Sequence, residues 1–125
     1  MERFLLVCGA GALGCGARYL VSLWIGSRAF PYATLAVNVA GSFAIALVLE
    51  LSIRIAGFPP NLRLALTTGF LGGLTTYSSF NYESTALLLG GTGQALRGLL
   101  YLGATVLGCF GAGLLGLAAA RKLAG

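Results

Sequence analysis

Long apolar stretches alternate with short turns along this chain, and that pattern predicts its elements. A bilayer core of about 30 Å needs roughly 20 mostly apolar residues per helix. Four stretches have that length, at about residues 4–25, 32–53, 64–89 and 98–120. The connecting segments GSRAFP, GFPPN and GGTGQ contain the Gly and Pro that are typical of turns. Because the stretches are continuous rather than alternating, they predict transmembrane helices and not barrel strands.

Composition supports a membrane protein. Apolar residues make up 58% of the chain, charged residues 9%, and the mean hydropathy is +0.91. The four stretches nearly fill the chain, so we predict one domain, residues 1–125, with an all-α fold of four transmembrane helices. The first stretch is longer than the apolar region of a signal peptide, and its start MERF carries both charge signs. It is therefore expected to be a retained helix.

The net charge of +5 is distributed unequally. Four spans place both termini and the middle loop on one side of the membrane. The basic residues on that side are Arg3, Arg54, Arg63, Arg121 and Lys122, and those in the opposite loops are Arg28 and Arg97. Basic loops remain in the cytoplasm, so this bias predicts cytoplasmic termini.

The available side chains argue against an enzyme. The chain has no His and no Asp, and its carboxylates are Glu2, Glu50 and Glu83. An acid–base pair or a Ser-His-Asp array cannot be assembled from these groups. The three cysteines lie inside the spans, and without His they are interpreted as packing residues rather than metal ligands.

Glycine is concentrated in three of the four spans. In lipid, small residues let helix backbones approach closely, so glycine-rich faces predict helix contacts. These glycines are Gly9, Gly11, Gly14 and Gly16 in the first span, Gly69 and Gly73 in the third, and Gly103, Gly108, Gly111, Gly113 and Gly116 in the fourth. Four short helices also contain too little material to surround a substrate pathway, so an oligomer is expected.

The third span contains the sequence GGLTT at residues 72–76, which predicts a helix broken near its middle. A helix that ends near Gly72 leaves carbonyl oxygens unpaired, and one that restarts near Thr75 or Thr76 presents amide hydrogens. Freed carbonyls at membrane depth suit Na⁺. The alternative is a continuous glycine-rich helix whose hydroxyls bond back to the preceding turn.

Aromatic and hydroxyl residues follow the predicted break. Tyr77 and Phe80 share one helical face, with Ser78 and Ser79 beside them. Aromatic rings have a positive edge, so rings presented edge-on can line an anion path. Packing in the core or against lipid is the alternative. Glu83 lies two turns beyond the break, where it suits either a helix-end hydrogen bond or a pore mouth.

Polar residues in the other spans are further candidates, because burying them in a bilayer is expensive. Arg18 and Asn38 both carry donors that can replace water around an anion. Snorkelling of Arg18 to an interface and an interhelical hydrogen bond of Asn38 are the alternatives. Tyr101, Thr105 and Cys109 form one stripe in the fourth span, which suits a pore or a polar contact between helices.

Three motifs resemble the small bacterial fluoride channels of the Fluc or CrcB family. They are GARY at 16–19, NVAGSF at 38–43 and GFLGGLTTYSSFNYE at 69–83, and the likeness extends over all four spans. The resemblance implies a fluoride-selective passive channel of the bacterial cytoplasmic (inner) membrane that exports cytoplasmic fluoride. It further implies an antiparallel, dual-topology homodimer with two pores and a central structural Na⁺.

The resemblance also implies roles for individual residues. Gly72 and Thr75 would offer backbone carbonyls to the sodium ion, and Asn38 would donate to fluoride in the pore. Tyr77 and Phe80 would present ring edges to the ion. The other implied positions are Ser78, Ser79, Tyr101, Thr105 and Cys109 on a polar track and Arg18 in the aqueous vestibule. Two of these residues depart from the family pattern, which usually has Phe at the position of Tyr77 and a hydroxyl at that of Cys109.

Two other functions fit a short four-helix membrane chain. A small multidrug-type cation/proton antiporter is also a dimer, but it requires a carboxylate in the first helix, where this chain has Arg18. A non-transporting assembly subunit held together by glycine faces would tolerate replacement of Asn38 and Phe80 without loss of ion flux.

Overall fold

A computed structural model describes residues 1–125, apart from the side chain of residue 92. The chain is all-α, as predicted, and no strand occurs among the described residues. The elements are α1 (Glu2–Ile25), α2 (Tyr32–Arg54), α3 (Pro60–Leu64), the π-helix π1 (Ala65–Leu71), α4 (Gly72–Leu74), α5 (Tyr77–Leu89) and α6 (Thr92–Leu123).

Three helices are long and apolar enough to cross a membrane: α1, α2 and residues Gly93–Leu123 of α6. Large apolar side chains such as Trp24 and Leu107 are exposed on these helices, as expected for surfaces that face lipid. The chain is therefore a multi-pass membrane protein. The predicted third span is divided among shorter elements, of which α5 is the longest at 13 residues.

The residues of the predicted third span do not form one continuous α-helix. α3, π1 and α4 follow one another directly, and the backbone becomes extended at Thr75 (ψ 156°) and Thr76 (φ −150°, ψ 117°). We predicted an end near Gly72, but Gly72 is helical (φ −63°, ψ −35°) and the helical conformation continues to Leu74. No sequence pattern indicates π1, a type of widened helical turn that is frequent at functional sites.

Glycine allows two close helix contacts in the fold. α1 packs along π1 and α4, and α2 packs along α6. A Cβ at Gly14 would overlap the Phe70 carbonyl oxygen, and one at Gly116 would overlap the Phe43 carbonyl oxygen. Gly9, Gly16, Gly103 and Gly111 would have no atom within 4 Å of a Cβ. Gly14 and Gly116 therefore allow close packing within the chain, whereas the four glycines with open space do not contribute to it.

Four of the five basic residues predicted to share one side lie in two groups. Glu50 Oε1 accepts from Arg54 Nε at 2.8 Å and from Arg121 Nε at 3.0 Å, which joins the ends of α2 and α6. Arg3 and Arg63 line a common cavity of about 670 Å³. The orientation of this side toward the cytoplasm stays a prediction.

Candidate functional site

The candidate site lies where the backbone is extended, at Thr75 and Thr76. Asn38 of α2 is buried and bridges this segment: its Oδ1 accepts from Thr76 N at 2.8 Å, and its Nδ2 donates to Thr76 O at 3.0 Å. Buried backbone groups need partners, and these two bonds supply them without water. The interhelical hydrogen bond considered for Asn38 from the sequence is thus directed at the backbone.

Two carbonyl groups near the extended segment lack the amide that a regular helix would provide. In a continuous helix Thr76 N would bond to Gly72 O, and Ser79 N would bond to Thr75 O. Here Thr76 N donates to Asn38, while Ser79 N donates to Thr76 Oγ1 at 3.3 Å and so caps the start of α5. The Gly72 and Thr75 carbonyls are therefore released from regular helix bonding.

A groove of about 350 Å³ opens beside this segment and contains five predicted pore residues. They are Asn38, Tyr77, Phe80, Thr105 and Cys109. The rings of Tyr77 and Phe80 meet edge to face, with centroids 5.9 Å apart and planes at 60°. Phe80 is buried, whereas Tyr77 is 77% exposed.

Thr105 lines the groove, and its hydroxyl is buried without a hydrogen-bond partner among the described side chains. The residue is 5% exposed, and among the described side chains none forms a hydrogen bond with its Oγ1. Buried polar groups are usually paired, so an unpaired hydroxyl in a groove wall points to a ligand or to water. Because this hydroxyl is buried, the side chain must rotate before it can donate a hydrogen bond to an anion in the groove.

Tyr101 is fully buried and is not among the residues that line the groove. Its hydroxyl donates to Glu83 Oε2 at 2.7 Å, and its ring meets that of Phe80 edge to face at 5.4 Å. Thr34 Oγ1 donates to Glu83 Oε1 at 2.9 Å. Both carboxylate oxygens of Glu83 therefore accept a hydrogen bond from a hydroxyl group. One of the two alternatives considered for Glu83 from the sequence was such a hydrogen-bonding role. The role of Thr34 was missed, because one Thr in the first turn of α2 gives no distinctive signal.

A second cavity of about 310 Å³ contains Arg18, Ser79 and Glu83. Thr76 lines this cavity as well as the groove, so the two are adjacent. Arg18 Nη2 lies 3.6 Å from Cys15 Sγ, while Arg18 Nε is buried without a partner among the described side chains. The guanidinium group therefore retains donor capacity at this cavity.

Ser78 occupies a different position from Ser79. It is exposed, lines neither the groove nor the Arg18 cavity, and has its Oγ 3.3 Å from Thr76 Oγ1. The structure therefore groups Ser79 with Arg18 and leaves Ser78 apart from both cavities.

The two cavities present several donors to an anion, and the Arg18 cavity contains one charge of each sign, from Arg18 and Glu83. The start of α5 contributes the positive end of a helix dipole, and Arg18 adds a full positive charge. The nearby carboxylate of Glu83 already accepts two hydroxyl bonds. Amide, hydroxyl and ring-edge groups can together replace the water around a small anion.

The fold and the groove define a multi-pass helical membrane protein with a largely apolar groove beside a non-helical segment of its backbone. Residues 5–117 match the family model described as CrcB-like protein, Camphor Resistance (CrcB). The chain belongs to this CrcB-like family, which confirms the resemblance found in its motifs.

Relatives of known name are similar over nearly the whole chain. The "Fluoride-specific ion channel FluC" of Anaeromyxobacter dehalogenans is 50% identical over 129 residues, covering 100% of both chains. The protein of the same name from Geobacter metallireducens is 47% identical and covers 90% of this chain and 92% of its own length. That of Citrifermentans bemidjiense is 42% identical, covering 98% of this chain and 100% of its own.

Proposed function

We propose that this protein is a passive, fluoride-selective ion channel that releases fluoride from the cytoplasm. The groove carries this proposal, because it combines an amide, an unpaired hydroxyl and two aromatic rings beside the cavity that contains Arg18. The names of the relatives support the choice of fluoride. Neutral HF crosses membranes and dissociates in the less acidic cytoplasm, where fluoride is then trapped. A passive channel lowers its toxicity by letting the anion leave.

Selection of fluoride over chloride requires a narrow path in which protein donors replace water. Asn38 Nδ2 carries two hydrogens and donates to Thr76 O, so the second hydrogen is available to the ion. Thr105 adds its unpaired hydroxyl, and Tyr77 and Phe80 add positive ring edges. Cys109 adds a thiol, which is a weaker donor.

The Arg18 cavity is proposed as the aqueous vestibule of the path. A fixed positive charge raises the local concentration of anions, and low-dielectric walls strengthen that effect. Ser79 lies in this cavity and offers a hydroxyl on the way to the groove. Tyr101 contributes through Glu83 and Phe80, which it contacts behind the groove.

We propose that residues 60–89 form one broken transmembrane segment, which makes four segments per chain. We further propose an antiparallel, dual-topology homodimer with two pores. The exposure of Tyr77 supports this assembly, because one wall of the groove is open and a second copy would cover it. The glycines with open space on α1 and α6 support close helix contacts with that copy.

A structural Na⁺ at the dimer interface is also proposed. The carbonyl groups of Gly72 and Thr75 fit such an ion, because both lack their regular helix amides and hard cations take oxygen ligands. Each chain would supply two oxygens. The bound ion would neutralise the converging carbonyl dipoles of the two chains and so hold them together.

Ion efflux from liposomes tests the proposed function. The purified dimer is reconstituted with internal fluoride and chloride, a potassium ionophore clamps the voltage, and two electrodes follow the two anions. We expect rapid fluoride loss with chloride retained. No fluoride loss from verified dimers would overturn the proposal, and proton-coupled cation uptake would establish the antiporter. The antiporter has less support, because Glu83 lies on α5 rather than α1 and both its oxygens accept hydroxyl bonds.

A further inference from the structure

The loop between α1 and α2 places an aromatic ring, Phe30, against Tyr101. The two rings meet edge to face, with centroids 5.4 Å apart and planes at 81°. Tyr101 meets Phe80 in the same manner at 5.4 Å and 64°. The buried phenol is therefore held by one ring from the groove and one from the loop.

The loop that carries Phe30 is itself constrained. Gly26 ends α1 with a positive φ of 71°, a conformation that favours glycine, and Pro31 directly precedes α2. Tyr32 N donates to Phe30 O at 2.8 Å, and the rings of these two residues lie 4.8 Å apart. The position of the Phe30 ring is thus set by a short, hydrogen-bonded connection.

The orientation of the Tyr101 ring determines where its hydroxyl lies. That hydroxyl donates to Glu83 Oε2, and Glu83 faces the cavity that contains Arg18 and Ser79. A carboxylate there repels a passing anion, and a hydroxyl donor reduces the charge that the anion meets. A ring that rotates away leaves Oε2 without this donor and raises the repulsion.

We propose that Phe30 is a positioning residue for fluoride passage, which acts by holding Tyr101 in its hydrogen bond with Glu83. The proposal rests on the proposed channel function. It assigns a role in the ion path to a residue of the α1–α2 loop that lines neither the groove nor the Arg18 cavity.

Three substitutions measured by fluoride efflux test the role of the ring. Phe30→Leu removes the ring and keeps an apolar side chain. We expect efflux per dimer to fall about threefold to tenfold, which corresponds to the interaction free energy of one aromatic pair. Phe30→Tyr keeps the ring and should retain the wild-type rate. Phe110→Leu is the matched control, because Phe110 is 68% exposed on α6 and outside the described aromatic pairs. Unchanged efflux for Phe30→Leu would overturn the proposal.

A double-mutant cycle distinguishes positioning from a general loss of stability. Tyr101→Phe removes the hydroxyl and keeps the ring. Since Phe30 is proposed to act through that hydroxyl, Phe30→Leu should slow efflux in the wild-type background and have no further effect in the Tyr101→Phe background. If the two substitutions lowered the efflux rate by independent factors that multiply in the double variant, the proposal would be contradicted. It would also be contradicted if a lower fraction of dimer accounted for the slower efflux of Phe30→Leu.

The ring contact can be measured without transport. The chain has five tyrosines, so ¹⁹F NMR of protein labelled with 3-fluorotyrosine should give five resonances. The Tyr101 resonance is assigned by its loss in Tyr101→Phe. Phe30→Leu should shift it and leave the Tyr19 and Tyr82 resonances in place, and an unshifted Tyr101 resonance would refute the contact. Wild-type dimers that release no fluoride would instead overturn the channel function while leaving this measurement interpretable.

Discussion

Asn38 shows how one polar side chain can support both the backbone and an ion. The sequence left a pore role and an interhelical hydrogen bond open for it, and the structure directs the side chain at both polar groups of Thr76. The side chain thereby stabilises the extended segment and still has one N–H for the groove. Its structural and proposed transport roles are therefore separable only by measuring stability and flux together.

Replacement of Asn38 by Ser should lower both the stability of the protein and its fluoride flux. The shorter side chain cannot reach Thr76 N and Thr76 O at once, so a buried hydrogen bond is lost and the donor to fluoride is withdrawn. We expect fluoride efflux per dimer to fall about tenfold or more and the thermal midpoint in detergent to decrease. Asn81→Ser, at an exposed position of α5, is the control and should change neither. Wild-type efflux in Asn38→Ser would remove Asn38 from the ion path.

Replacement of Thr105 by Val should separate function from stability. Val keeps the shape of Thr, and no protein hydrogen bond is lost because the hydroxyl has no described partner. We expect an unchanged or higher thermal midpoint. Fluoride efflux should fall about tenfold, which corresponds to the free energy of one hydrogen bond to an ion.

The control for this substitution is Thr67→Val. The Thr67 hydroxyl donates to Arg63 O at 2.8 Å, and Thr67 lies outside the groove. For Thr67→Val we therefore expect the opposite of the result for Thr105→Val, namely a lower thermal midpoint and normal fluoride efflux. Thr105→Val dimers that are less stable but conduct normally would show that the hydroxyl serves packing alone.

Among the elements, the long helices were predicted well from the apolar stretches, and the interruptions of the helices were predicted less well. α1, α2 and α6 follow directly from length and hydropathy. The end of helical structure at Leu74 does not, because it depends on a bond between Asn38 and Thr76, which are 38 residues apart in the sequence. π1 was missed because a stretch that is apolar on most faces carries no periodic signal for a widened turn.

The α2–α6 contact should depend on Gly116. A Cβ at this position would overlap the Phe43 carbonyl oxygen, and backbone cannot move aside as a flexible side chain does. We expect Gly116→Ala to destabilise the protein by about 1–3 kcal/mol, the usual cost of overpacking. Thermal unfolding in detergent, followed by circular dichroism, measures this effect.

Gly103→Ala serves as the comparison on the same helix. No atom lies within 4 Å of a Cβ at Gly103, and Ala has a higher helix propensity than Gly. We expect an unchanged or higher thermal midpoint for this variant. Equal destabilisation by both substitutions would mean that the close contact with Phe43 is not what makes Gly116 necessary.

In the whole molecule, the sequence was most informative where a motif lies within one segment. The motif at 69–83 pointed to the groove, and the structure brings two of its aromatic residues, Tyr77 and Phe80, together with Asn38 and Thr105. Phe30 and Thr34 were not found, because their contacts join a loop and a helix start to distant segments. The open wall beside Tyr77 cannot be interpreted from one chain alone, since the proposed second copy would cover it.

The proposed antiparallel dimer predicts which positions cross-link to their own copies. A two-fold axis in the membrane plane brings equivalent residues together only near the bilayer midplane. Gly72 is exposed, and a Cβ there would make only an ordinary contact, so Gly72→Cys should fold. In a background in which Cys8, Cys15 and Cys109 are replaced by Ser, we expect oxidation to give a covalent dimer through Cys at position 72.

Leu89→Cys is the matched variant for this experiment, because residue 89 is 81% exposed at the end of α5. In an antiparallel dimer its two copies lie at opposite membrane surfaces, too far apart for a disulfide with Cα atoms within about 7 Å. No covalent dimer should form through this position, as judged by non-reducing gel electrophoresis of protein oxidised in native membranes. Cross-linking at position 89 but not at 72 would instead indicate a parallel dimer, and the shared sodium site and the dual topology would then have to be abandoned together.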